Sequence, residues 1–145
     1  GEERLAESKA KFKAKVDNEY NNLSDAQKEA AKNLIDKQNT IADVEAKDVN
    51  HSALDSATEL LNKHISEEAA TKVDIKYTGS EAAKRQAYDD AIAAAKELQA
   101  KLQESNTVAD ELLNTQAIQN INNRVQSALD ALNGEQNMQK VRNDA

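Results

Sequence analysis

Apolar residues recur every three or four positions along most of this chain, a pattern that predicts α-helix almost throughout. The predicted elements, in chain order, are helices at 2–20 and 24–38, a short helix capped by Thr40, helices at 52–66 and 80–104, and a last helix from about Asn114 to Leu132. The segment 67–79 has no clear periodicity, so we expect it to be a connection with at most one helical turn.

The stretch from Asn39 to Tyr77 departs from this regularity because its apolar face changes direction. At about 100° per residue, Ile41 and Val44 point to one side of a helix. The apolar residues that follow lie on roughly the opposite side; they are Ala53, Ala57, Leu60 and Leu61. One straight helix cannot bury both sets in the same small core. Either the helix breaks near Asn50-His51-Ser52, or it serves two bundles in turn.

Both alternatives make this stretch a junction between two helical modules. We therefore predict an all-α chain of two small three-helix bundles joined in tandem along an elongated rod, with bundles at 1–51 and 52–134. Gly134-Glu135 is followed by Met138 and Arg142, as Gly1-Glu2 is followed by Leu5 and Lys9. Residues 135–145 are accordingly predicted to begin the next unit of a tandem array.

Local signals place the helix ends. Ser24 and Gln27 have the spacing of a capping box, in which each residue caps a backbone N–H near the other. Ser52 is expected to cap a fresh helix start and Asn114-Thr115 to form another break and cap. Gly134 is expected to end the preceding helix as glycine often does.

Composition narrows the class of protein. There is no proline and only 3% of residues are aromatic, so the core must consist of Ala, Leu, Ile and Val. The formal net charge of −7 argues against general nucleic-acid binding, which depends on neutralising phosphates. We expect the basic residues of the first helix to form a solvated face; they are Arg4, Lys9, Lys11, Lys13 and Lys15. No apolar run is long enough to insert into a membrane. The chain starts at Gly, which suggests a fragment of a longer protein.

The residues that could carry chemistry do not form a catalytic or metal-binding pattern. His51 and His64 match no zinc motif, and we expect them to make ordinary surface pairs with Asp55 and Glu68. Asp48, Asn50, Ser52 and Glu59 mimic part of a calcium loop, but Ala53 stands where that loop needs glycine. Neighbouring carboxylates on a helix do not face each other. We predict no enzyme activity, no catalytic or metal-ligating residues and no cofactor; the ligand-contacting residues stay unknown at this point.

Several segments resemble families of bacterial surface proteins. Residues 32–44 resemble the corner between the second and third helices of GA modules, the three-helix units of albumin-binding surface proteins. The segments Leu5–Lys9 and Leu23–Asp25 resemble that family's first-helix opening and second-helix cap. The FIVAR repeat is similar to a downstream set that comprises Tyr77, Tyr88–Ile92, Ala95, Leu98 and Ala131–Gly134. The ordered pair is similar to the repeat units of giant staphylococcal-type extracellular-matrix-binding proteins.

This resemblance implies a repeat of a bacterial cell-surface adhesin, extracellular and associated with the cell wall, that binds fibronectin or other host matrix proteins. Its weak sites would act multivalently along the array, beside neighbouring repeats of the same chain. Albumin is not expected as a partner, because this chain has Ala26, Gln27, Ala30 and Ala31 where albumin-binding modules place bulky aromatic residues. The alternatives are a purely structural spacer rod and an unrelated coiled-coil or spectrin-like scaffold.

The division into two modules makes a structural prediction. We expect Leu54, Leu60 and Leu61 to pack against the 80–104 helix and not against Phe12 or Leu34 of the first bundle.

Overall fold

The computed structural model describes residues 2–144, which consist of α-helices and the turns that join them. The helices of this part are α1 (Glu2–Glu19), α2 (Asp25–Asp36), α3 (Ile41–Ser66), α4 (Glu68–Val73), α5 (Ile75–Thr78), α6 (Ala82–Leu102), α7 (Ala109–Leu112), α8 (Thr115–Ala131) and α9 (Gly134–Asp144). α3 packs with α1 and α2 and also with α6 and α8. Lys15 of α1 binds it at Asp48, whereas α8 and α6 bind it further along, at Ala57 and Asn62. The prediction of an all-α chain with three-helix bundles in tandem is confirmed.

The first bundle is closed by a small aliphatic core and by two helix caps. Its fully enclosed side chains are Val16, Ala31, Ile35 and Val44. The Ser24 hydroxyl accepts from the Gln27 backbone N–H at 3.1 Å, and the Gln27 side-chain oxygen accepts from the Ser24 N–H at 2.9 Å. This completes the predicted capping box. The Thr40 hydroxyl accepts from the Asp43 N–H at 3.1 Å and starts α3 as predicted.

The second bundle forms around the C-terminal half of α3. Its most deeply buried side chains are Leu54, Leu61, Tyr88, Ile92, Ile118 and Val125. Asn122 of α8 donates to the Ala57 carbonyl at 3.0 Å, and Gln99 of α6 donates to the Asn62 side chain at 2.8 Å. The two core leucines of α3 lie on the arc between these contacts. They therefore point toward α6 and α8.

α3 is one uninterrupted helix, so the predicted break at Asn50-His51-Ser52 and the predicted Ser52 cap are wrong. Asn50 and Ser52 are both exposed, so their polar side chains meet solvent. His51 lies on the buried side between them. Packing on both halves of the helix outweighs the weak helix propensity of these three residues. The second alternative holds, in which one helix serves two bundles in turn, and the expected boundary at residue 51 falls inside it.

Leu60 does not belong to the core, contrary to the prediction that it packs with Leu54 and Leu61. Its side chain is 41% exposed, whereas that of Leu61 is fully buried. Leu60 lies about 100° from Leu61 around the helix, outside the arc that α6 and α8 cover. The spacing of apolar residues alone predicts Leu60 on the buried side of α3.

The connection between α3 and α6 and the chain after α8 are more ordered than predicted. Segment 67–79 forms two short helices, α4 and α5, and the Asp74 side chain caps α5 by accepting from the Lys76 N–H at 2.9 Å. Gly134 does not cap α8, because α8 ends at Ala131 and Gly134 opens α9 without a positive φ. A Cβ at Gly134 would lie 1.9 Å from the Ile75 carbonyl oxygen. Glycine is therefore required for the close approach of α9 to α5.

Polar contacts also join the two bundles directly. The Ser24 hydroxyl donates to the Leu102 carbonyl at the end of α6. The Asn22 backbone N–H donates to Asp55 at 2.9 Å, and its side chain donates to Glu59 at the same distance. The turn between α1 and α2 therefore binds the second half of α3 and the end of α6. The two bundles therefore share helix α3 and are also joined by these hydrogen bonds.

A candidate docking surface on α3 and α8

The two histidines that sequence reasoning assigned to surface pairs are buried in α3. His51 is 2% exposed and His64 is 6% exposed. Burial lowers the pKa of both imidazoles, because the charged form loses its hydration. Asp55 accepts instead from Asn22, and Glu68 pairs instead with lysines. The predicted histidine pairs are therefore wrong.

The carboxylates of Glu68 and Asp89 are held in structural pairs. Glu68 binds Lys72 at 2.8 Å and also binds Lys96, and hydrogen bonds from both ammonium groups lower the pKa of Glu68. The Tyr77 hydroxyl donates to Asp89 at 2.9 Å. Within residues 2–144, no group of three or more His, Cys, Asp or Glu residues could hold a metal ion. A helix that could cross a membrane is likewise absent from these residues.

The basic residues of α1 contribute to the first bundle and do not form a free basic surface. Lys13 lies 2.9 Å from Asp36 of α2, and Lys15 lies 2.8 Å from Asp48 of α3. The hydrogen bond to Asp48 raises the pKa of Lys15. Lys9 donates to the last carbonyl of α2 at 2.8 Å. The expected solvated face is in large part an intramolecular set of contacts.

One side of α3 is exposed and carries no charge. This α3 stripe consists of Ala42, Ala46, Val49, Ala53, Ser56 and Leu60. Val49 is 69% exposed and Leu60 is 41% exposed. These two residues are eleven positions apart, which is about three helical turns, so they lie on the same side. The stripe extends roughly 27 Å at 1.5 Å per residue and passes over both bundles.

The neighbouring side of α8 is formed mainly by amide side chains. Its exposed amide face consists of Gln116, Gln119, Asn120, Asn123 and Gln126. Gln119 and Ala53 of the α3 stripe line the same open cleft, which shows that the two surfaces adjoin. Asn122, at the edge of the face, binds the α3 backbone from a buried position. Arg124 and Asp130 are the charged residues of α8.

The α3 stripe and the α8 amide face together form what we name the α3–α8 face. It contrasts with the rest of a chain in which 31% of residues are charged. Protein–protein interfaces are depleted of charged residues at their centres, because a buried charge loses its hydration. An apolar stripe beside amide donors and acceptors offers both apolar burial and hydrogen bonds. Chemically, the face can bind a protein surface but has no group arranged for catalysis.

Sequence reasoning did not find this surface. It left the ligand-contacting residues unknown, passed over Val49 and assigned Leu60 to a core. The signal was nevertheless present, because Val49 and Leu60 share a face only if α3 continues through Asn50-His51-Ser52. The predicted break in the helix concealed that relation.

The segment of α2 that corresponds to the albumin-binding site of GA modules is covered by other parts of this chain. In GA modules that site uses the early turns of the second helix. Here Ala26 and Gln27 in those turns are buried, and the Gln27 side chain donates to the Leu112 carbonyl of α7 at 3.3 Å. A cleft of about 360 Å³ remains between α2 and the 105–113 segment. The chain itself thus covers the start of α2.

Comparison with known proteins finds a family match in the N-terminal part of the chain. Residues 2–57 match the family model of the GA module. The GA-module match therefore reaches past the middle of α3, and over most of its length the chain is similar to a segment of staphylococcal extracellular matrix-binding proteins.

The named relatives are much longer than this chain. EbhB of Staphylococcus aureus strain Newman is 37% identical over 128 residues, which is 88% of this chain and 2% of the relative. Ebh of strain MW2 is 34% identical over all 145 residues, which is 1% of that protein. Both are named extracellular matrix-binding proteins. The chain thus spans only 1–2% of the length of these curated relatives.

Solved structures show the same fold. An EbhA domain from Staphylococcus aureus aligns with a TM-score of 0.78 and 26% identity, over 99% of this chain and 57% of that one. A structure from work on Embp-mediated adherence of Staphylococcus epidermidis to fibronectin aligns with a TM-score of 0.81 and 21% identity. That alignment covers 91% of this chain and 99% of the other.

Proposed function

We propose that this chain is a unit of an extracellular, cell-surface adhesin that binds fibronectin or another host matrix protein through the α3–α8 face. The observation that carries the proposal is the uncharged, partly apolar α3 stripe, exposed over the length of both bundles. The names of the homologues support the class of partner. The likeness to the Embp structure supports fibronectin as the first matrix protein to test.

The composition of the face favours weak binding by a single unit. Interfaces of high affinity usually contain a central cluster of Trp, Tyr or Arg side chains. The α3–α8 face has Val49 and Leu60 as its largest apolar groups, and small or amide side chains elsewhere. We therefore infer that strong attachment depends on several units that bind together, which raises avidity without new contacts.

α9 supports the proposal of a tandem array. It begins at Gly134, where the sequence repeats the start of α1, and its Asn137 side chain donates to the Gly79 carbonyl at 2.9 Å. Met138 and Val141 on α9 are 38% and 62% exposed. We infer that α9 is the first helix of a following bundle that would cover these residues. We propose that the units of the array divide in the sequence at 1–51, 52–134 and 135–145, although helix α3 continues across the first of these boundaries.

Albumin binding through α2 is disfavoured by packing within the chain. The first turns of α2 are occupied by contacts to α6 and α7 and present no large exposed apolar side chain. We propose that this unit does not bind albumin by that route. A purely structural spacer is the second candidate, since a continuous α3 and a close α5–α9 contact would also suit a rod.

Binding to immobilised fibronectin tests these alternatives. A single unit and a chain of several concatenated units are passed over fibronectin and, in parallel, over albumin. The proposal predicts rapid dissociation of the single unit from fibronectin, much slower dissociation of the concatenated form, and no albumin binding. If neither form binds fibronectin or another matrix protein, the spacer function is favoured.

A matched pair of variants tests the surface. Val49→Glu with Leu60→Glu introduces two charges into the α3 stripe, and Val73→Glu with Val108→Glu introduces two at other exposed valines. We expect the first pair to weaken binding at least tenfold and the second to change it less than about twofold. Equal effects of both pairs would show that net charge, and not the α3–α8 face, controls binding.

A further inference from the structure

The junction of the two bundles contains a buried imidazole with no hydrogen-bond partner. Neither Nδ1 nor Nε2 of His51 has a partner within residues 2–144, although the side chain is 2% exposed. A neutral imidazole carries one donor and one acceptor, and burying both without partners is costly. A second, charged N–H would be costlier still. The site therefore favours any opening that lets solvent reach His51 when it gains a proton.

The wall beside His51 includes a loosely supported segment. Residues 103–114, which we name the α7 segment, contain only the four-residue helix α7. It runs between the α2 cleft of about 360 Å³ and a second cleft of about 460 Å³. His51 contributes to the second cleft, together with Leu34 of α2, Leu113 and Asn114 of the α7 segment, and Gln119 of α8. A short helix between two clefts has few buried contacts and belongs to the least stable part of a fold.

The charges around His51 do not compensate a proton on it. From α3 itself, Lys47 opposes the charge and Asp48 favours it. Asp48 already binds two other groups. Lys15 of α1 lies 2.8 Å from its carboxylate, and the hydroxyl of Tyr20, the residue after α1, donates to it. The side chains that α2, the α7 segment and α8 contribute to the cleft are all uncharged. Lys47 of α3 is the charged residue in the lining of this cleft. The net effect of burial and these charges is a lowered pKa of His51.

We propose that protonation of His51 releases the α7 segment from the cleft that it lines together with α2 and α3, so that the junction between the bundles opens in mildly acidic solution. The two walls formed by α2 and α3 are regular helices with caps, whereas the α7 segment is tethered by Leu112 and by the Gln27 contact. Its release would uncover the first turns of α2. The device is independent of which partner the α3–α8 face binds.

The direction and the upper limit of the change in the open population with pH follow from proton linkage. The pKa of His51 is lower in the closed state than in an open one, where it approaches the ordinary value of about 6.5. The closed state is therefore fully favoured above that value and loses stability as the pH falls through it. Between pH 7.5 and pH 5.0, one such histidine can increase the open population by at most about 30-fold.

Amide hydrogen exchange of the α7 segment tests the proposal, with exchange rates divided by the intrinsic rate at each pH. We expect protection of residues 109–114 to fall about 10- to 30-fold between pH 7.5 and pH 5.0, while the centre of α6 changes little. His51→Leu should remove the change, and His64→Leu, at the other buried histidine, should keep it. NMR titration of wild-type His51 gives a second measurement if a variant does not fold. Equal protection at both pH values, or a His51 pKa at or above its ordinary value, would overturn the proposal.

Discussion

Gln27 offers a sensitive test of whether the two bundles form one structural unit. Its side chain is fully buried, yet it is polar and reaches three elements. Its oxygen accepts from the Ser24 N–H at 2.9 Å, and its nitrogen donates to the Thr58 hydroxyl at 3.2 Å and to the Leu112 carbonyl at 3.3 Å. One side chain thus links the start of α2, the second half of α3 and α7.

We predict that Gln27→Ala lowers the free energy of unfolding by about 2–4 kcal/mol. Three hydrogen bonds contribute roughly 1 kcal/mol each, and their loss leaves buried groups of Ser24, Thr58 and Leu112 without partners. The backbone N–H of residue 27 keeps its bond to the Ser24 hydroxyl, so half of the capping box survives. Exposed Gln86 of α6, which binds only Asp90 one turn away, is a matched control. Gln86→Ala should cost less than about 0.5 kcal/mol.

Urea unfolding measures both the cost and its distribution. Helix content is followed by circular dichroism, and NMR resonances of Tyr20 and Tyr88 report on the first and second bundle. If Gln27 couples the bundles, both tyrosines lose native signal in one transition, at a lower midpoint in Gln27→Ala and with an unchanged slope. A loss below 1 kcal/mol, or a first bundle that unfolds alone, would refute this reasoning. A double-mutant cycle with Thr58→Val should give a coupling of about 1 kcal/mol.

Three further predictions concern the corrected features of the fold. Leu61→Ala should cost about 2–5 kcal/mol in urea unfolding, whereas Leu60→Ala should cost less than about 1 kcal/mol, and equal costs would contradict their opposite burial. Gly134→Ala should detach α9, because its Cβ would meet an α5 carbonyl oxygen, and trypsin should then cleave faster at Lys140 while the midpoint of the bundles stays unchanged. Asp48→Asn should cost about 1 kcal/mol, since it weakens a partly exposed ion pair to α1, and no change would show that the pair contributes nothing.

The local features of the fold could be predicted from the sequence. Helix α1, the Ser24–Gln27 capping box, the Thr40 cap and the stripe of α8 depend on spacing and on residues close in the chain, and the structure shows each of them. The rotation of the apolar face between Ile41 and Leu61 also located the helix that both bundles share.

The failures have a common physical cause, which is packing between distant parts of the chain. Asn50 and Ser52 resemble a helix break until two bundles hold α3 straight. His51 resembles a surface residue until the fold places it beside α2 and the α7 segment, where it is 2% exposed. Gly134 resembles a cap until α5 approaches its backbone. The docking surface was missed for the same reason, because the α3 stripe exists only when α3 is continuous.

Contact between the α3–α8 face and a matrix protein is the proposal on which the function depends. NMR spectra of the ¹⁵N-labelled unit, recorded with increasing amounts of unlabelled fibronectin, test it most directly, because a large partner broadens the signals of the residues that it touches. We predict selective loss of signal at Val49, Ala53, Leu60, Gln119 and Asn123, with α1 and α6 broadened less. Selective broadening of α1 or α6 instead, or spectra that do not change while fibronectin is present in excess, would contradict it.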